Sequence, residues 1–158
     1  VIVNAMADIW TPMFLATRLT QGEPLPRYCR QLTAGPRDLE LQRTDANTLT
    51  VRFDGPLLGS VWTNVFRNPG DHPFRDGDTV HLSGLDVHIV KADGRNAPSE
   101  LAFRFDLPLE DPSLHWNAYQ DGQCTPFALP AIGETVRLTT PSVAEAIQAR
   151  LSRLFAVR

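Results

Sequence analysis

The sequence lacks the spacings by which many catalytic families are recognised. It has no GxSxG nucleophile turn, no GxxxxGK[ST] phosphate loop, no GxGxxG after a strand, no HExxH and no CxxC pair, and no cofactor is implied. Basic charge is short as well. The formal net charge is −3, and the arginines are scattered without forming the stripe that neutralising a phosphate backbone requires, which argues against a nucleic-acid partner. Lys91 is the only lysine, a bias that fits GC-rich coding and carries no ligand-binding signal. Of the two cysteines, Cys29 and Cys124, neither belongs to a Cys/His pattern. They read as unpaired thiols, with pairing left open for an oxidising compartment. No apolar run reaches the roughly 18 residues of a membrane span, and no basic-then-apolar leader is present.

What is present points to a folded, β-rich chain. Apolar residues at 42% and charged residues at 21% are globular proportions, not disordered ones. With 158 residues one hydrophobic core is expected, hence one domain over 1–158. The 13 prolines and 10 glycines are spread along the chain and cut it into short segments, which suits strands and turns.

The opening segment, 1–28, reads as β–α. Val1-Ile2-Val3 is strand-like, and since it does not start at a methionine an upstream segment is expected. Ile9, Met13, Ala16 and Leu19 then follow helical spacing, and Gly22, Pro24 and Pro26 stop the helix.

From residue 29 to 140 the pattern predicts an antiparallel β core. Leu39 and Leu41 alternate with polar residues, as do Leu49, Val51 and Phe53. An Asp45-Ala46-Asn47 loop sets Leu41 opposite Val51 and Leu39 opposite Phe53. In Asp78–Ile89 a two-residue Ser83-Gly84 turn pairs Leu82 with Leu85 and Val80 with Val87. Thr79, His81, Asp86 and His88 then share the other face, and a one-residue slip would mix the two faces. Leu101–Phe105 supplies a further strand, and Asp121-Gly122 sets Trp116 opposite Phe127. Pro73-Phe74 before Gly77–Leu82 is echoed by Pro126-Phe127 before Gly133–Leu138, a weak internal repeat.

Residues 141–158 predict an amphipathic helix with Val143, Ile147, Leu151 and Leu154 on one face. Thr140-Pro141 or a Ser142/Glu145 capping box serves as its start.

The run Phe103–Trp116, with Gly133–Leu138, resembles the soluble C-terminal region of bacterial multi-span membrane proteins of uncharacterised activity. The resemblance covers Val1 to about Leu138. It implies a β-rich domain joined to an upstream membrane-embedded part of the same protein, and brings no catalytic residues.

Each candidate site has a structural competitor. His81, Asp86 and His88 could converge on zinc or iron, but a polar strand face needs no such reason. Asp71 and His72 lie in a Pro/Gly-rich loop that could hold a general base, although no nucleophile is fixed nearby. Glu110 and Asp111 could divide acid and base roles, yet acids before Pro112 suit a turn. Trp62, Trp116 and Tyr119 could line a groove, but strand aromatics usually fill a core. The terminal helix could dock a partner or a membrane surface instead of its own sheet.

The expectation is therefore a mainly β (α+β) fold, a hairpin-built antiparallel sandwich or partly open barrel with flanking N- and C-terminal helices. It would serve as a non-catalytic accessory or binding domain of a larger bacterial protein. The alternative is a hydrolase or metal-dependent enzyme fragment using His72 or the His81/Asp86/His88 group. Ligand and compartment stay open.

Overall fold

The computed structural model describes residues 1–5, 10–35, 37–54, 70–93, 97–120 and 123–139, together with Ala144 and Gln148. Its elements in chain order are β1 (Ile2–Ala5), α1 (Trp10–Thr20), β2 (Gln31–Ala34), β3 (Asp38–Arg43), β4 (Thr48–Phe53), β5 (Thr79–Leu82), β6 (Leu85–Ala92), β7 (Pro98–Phe105), β8 (Asn117–Gln120), β9 (Gln123–Pro126) and β10 (Thr135–Thr139). The protein is mainly β, with two sheets ordered β2-β1-β8-β9 and β10-β3-β4-β7-β6-β5. Neither sheet closes into a barrel. Residue contacts divide the chain into two units, Val1–Arg37 with His115–Ala128 and Thr139–Arg158, and Asp38–Leu114 with Leu129–Leu138.

In the second unit, alternation sets the register. Leu39 pairs with Phe53 and Leu41 with Val51, and Val80 pairs with Val87 and Leu82 with Leu85, as the hairpin pattern predicts. The Asp45–Asn47 loop closes through Thr44 N–H donating to the Thr48 carbonyl at 3.0 Å. Asp45 Oδ1 accepts from Asn47 N–H at 2.7 Å. β7 sits between β4 and β6, so the two hairpins become one sheet.

One face of that sheet is apolar. The row Leu41, Val51, Leu101 and Ile89 runs across β3, β4, β7 and β6, and all four are buried. Leu109, from the segment after β7, is fully buried and is held by its N–H donating to the Ala46 carbonyl at 2.8 Å. The opposite face is charged. Glu40, Arg52, Glu100 and Lys91 form a cross-strand row of alternating sign, a sequence of pairings that like charges would oppose in any other register.

The two edge strands enter this sheet by the same device. Gly77 (φ +89°) and Gly133 (φ +87°) each occupy the third position of a four-residue turn, closed by Asp78 N–H to the Arg75 carbonyl and by Glu134 N–H to the Ala131 carbonyl. In each turn the acid side chain also accepts from the first residue's N–H, at 2.8 Å in both cases. Each Gly-acid pair then lies opposite a single residue. Gly77 N–H donates to the Ile89 carbonyl and Ile89 N–H to the Asp78 carbonyl, while Gly133 N–H and the Glu134 carbonyl meet Arg43 in the same way. This is a β-bulge whose first residue must be left-handed. The Gly77–Leu82 and Gly133–Leu138 part of the weak sequence repeat is thus a structural one, whereas Pro126 lies in β9 and Pro73 in no strand.

The first unit departs from the expected all-antiparallel core. β1 pairs in parallel with both β2 and β8, and among the described residues of this unit only β8–β9 is antiparallel. A parallel neighbour cannot be reached by a tight turn, and α1 supplies the crossover between β1 and β2. All four residues of β1 are buried, as a central strand of such a sheet requires. Asn4 is the polar one. Its side chain accepts from Tyr119 N–H at 2.9 Å and donates to the Tyr119 carbonyl at 3.1 Å, so an amide side chain takes up backbone groups of β8. Trp116 and Phe127 are cross-strand neighbours, with Phe127 N–H donating to the Trp116 carbonyl at 3.0 Å. Trp116 is buried and Phe127 half-buried.

α1 ends in a Schellman motif. Glu23 N–H reaches the Arg18 carbonyl and Gly22 N–H the Leu19 carbonyl, with Gly22 at φ +69°. The helix expected over 141–158 lies outside the described residues except for Ala144 and Gln148.

Candidate functional site

The Ser83-Gly84 turn, with Gly84 at φ +77°, brings β5 and β6 together so that His81 faces Asp86 and Thr79 faces His88. Each imidazole bonds straight across the ladder. His81 Nδ1 lies 2.7 Å from Asp86 Oδ1, and His88 Nδ1 lies 3.0 Å from Thr79 Oγ1. The His81 side chain is 77% exposed. The two rings bond through Nδ1 to separate partners, and among the described residues no group of three or more His, Cys, Asp or Glu side chains is placed to hold a metal ion.

Glu110 and Asp111 separate into two structural roles. Glu110 pairs with the guanidinium of Arg43, a buried side chain that also donates to the Asp45 carbonyl at 3.2 Å. The hydrogen bond from Arg43 lowers the Glu110 carboxyl below its ordinary value. Asp111 accepts from the Ser113 hydroxyl at 2.6 Å and from its N–H at 2.9 Å, and these bonds lower it too. Both acids stay ionised at neutral pH, which removes the proton a general acid needs.

Asp71 and His72 lie in an exposed loop. Trp116 and Tyr119 are buried, whereas Trp62 lies outside the described residues. Cys29 and Cys124 are free thiols. Burial pushes the Cys124 thiol up, away from the reactive thiolate.

Two surface features were not read from the sequence. The first is a groove of about 400 Å³ lined by Asp38, Leu39, Glu40, Arg52, Phe53, Asp54 and Arg137. Its acids Asp38, Glu40 and Asp54 outnumber Arg52 and Arg137, and both arginines are paired. Arg137 lies 3.0 Å from Asp38 and 3.8 Å from Asp54, and Arg52 donates to both Glu100 oxygens at 3.2 Å. The second is the outer side of α1. The half-buried positions are Thr11, Leu15 and Arg18, while Met13, Ala16 and Leu19 face outward, with Met13 55% and Leu19 66% exposed. Of the apolar stripe that identifies the helix in the sequence, Met13, Ala16 and Leu19 are therefore turned to solvent, and Ile9 lies outside the described residues. Periodicity finds such a stripe but cannot tell a core-facing one from a partner-facing one.

Comparison with known proteins gives no match, either to a family model, to a curated protein or to a solved structure.

Proposed function

We propose that this chain is a non-catalytic binding domain of a larger protein, joined to an upstream membrane-embedded part, and that it docks through the outer side of α1. The outward stripe of Met13, Ala16 and Leu19 carries this reading, because exposed apolar side chains clustered on one element mark interaction surfaces more often than catalytic ones. The bonding of Glu110, Asp111, His81 and His88 to neighbouring structural groups supports it from the other side.

The test is the double substitution Met13→Asp/Leu19→Asp. A docking surface predicts an unchanged unfolding midpoint and higher solubility, whereas loss of about 2–5 kcal/mol would assign the stripe to a core. Wild-type turnover in an esterase, phosphatase and glycosidase panel, abolished by His81→Ala or His72→Ala, would replace the reading with the enzymatic one.

A further inference from the structure

The stripe on α1 does not stand alone. The segment after the helix adds Leu25 and Tyr28, 50% and 48% exposed, and Phe14 is exposed on the flank of α1. Arg18 fastens this segment to the helix. Its Nε and Nη2 donate to the Pro24 carbonyl at 3.1 and 2.9 Å, and its Nη1 lies 2.9 Å from Glu23, so Leu25 is kept beside the last turn.

The segment that carries this surface is basic although the chain is net acidic. Residues 10–30 contain Arg18, Arg27 and Arg30 against the single acid Glu23, in a protein of net charge −3. Glu23 neutralises Arg18. The guanidinium groups of Arg27 and Arg30 lie 5.3 and 5.1 Å from the centre of the exposed Tyr28 ring, so two cations surround one aromatic side chain at the edge of the apolar surface.

We infer that the occupant of this surface is an anionic lipid bilayer, an inference that rests on the docking reading above. Bulky apolar side chains spread over a helix and a following loop can each enter a fluid interface without a shaped counterpart, while the arginines reach lipid phosphates and the tyrosine ring sits at headgroup depth. Electrostatics selects the orientation, since a net acidic chain approaches an anionic surface by its basic patch. The same charges oppose a second copy as occupant, because a two-fold interface here would bring two basic patches into one contact.

The test is cosedimentation of the full chain with vesicles of phosphatidylcholine, alone or mixed with phosphatidylglycerol. Wild type is expected to bind the mixed vesicles at least about tenfold more tightly than the neutral ones, as a basic side chain near an anionic surface contributes roughly fivefold. Arg27→Glu should cut that preference at least about fivefold, and Met13→Asp/Leu19→Asp should weaken binding to both kinds of vesicle, each at an unchanged unfolding midpoint. Absence of binding to mixed vesicles, or binding that neither variant alters, overturns the lipid inference. If binding is absent while the stripe variant keeps its midpoint, the docking reading survives without lipid. A concentration-dependent dimer abolished by Met13→Asp/Leu19→Asp would make a second copy the occupant. A destabilised stripe variant overturns both readings.

Discussion

Asn4 shows how much one polar side chain can settle. Its amide meets both backbone groups of Tyr119 inside the first sheet, so Asn4→Leu keeps the volume but removes both of these hydrogen bonds. Stability should fall by about 2–4 kcal/mol in urea unfolding, since an unsatisfied buried group costs roughly 1–3 kcal/mol. The acids of the second unit predict a pH dependence. Asp45 is lowered mainly by the Asn47 N–H, Glu110 by Arg43 and Asp111 by Ser113. A carboxyl lowered by folding stabilises the protein fully above its unfolded value, near pH 4, and loses that contribution as pH falls through the lower folded value. The melting temperature of wild type should therefore drop on acidification below about pH 4, and Glu110→Gln should show a shallower drop over the same range. His81 and His88 make only exposed cross-strand bonds. His81→Ala/His88→Ala should shift stability by less than about 1 kcal/mol, and a zinc titration of either protein should show no tight binding.

Among the elements, the paired edge turns make the sharpest prediction. A Cβ at Gly77 or Gly133 meets no atom within 4 Å, so the cost of alanine there comes from the left-handed backbone alone. Gly77→Ala and Gly133→Ala should each destabilise by about 1–2 kcal/mol, and the double variant should equal their sum within about 0.5 kcal/mol. Unequal effects would show that the turns only look alike. The hairpins of the second sheet could be read from the sequence because Leu39/Leu41, Leu49/Val51/Phe53 and Val80/Leu82 alternate cleanly and the intervening turns have definite lengths. The parallel pairing of β1 could not. Strands of four residues, buried on both faces, show no alternation, and their partners lie far away in sequence. The stripe on α1 was legible as a helix signal, but its outward orientation depends on which residues the sheet already has room for.

At the scale of the whole molecule, the larger sheet keeps one face apolar and the other charged, and its charged row opposes register slips that the apolar face alone would permit. The edges matter in another way. Both outer strands of that sheet begin at a bulge, where a twisted, irregular backbone is a poor template for a further strand. Held for long periods at high concentration, the protein should consequently fail by amorphous clouding seeded at the greasy side of α1, not by growth of ordered fibrils. Thioflavin T should stay dark throughout, and Met13→Asp/Leu19→Asp should keep the solution clear for longer.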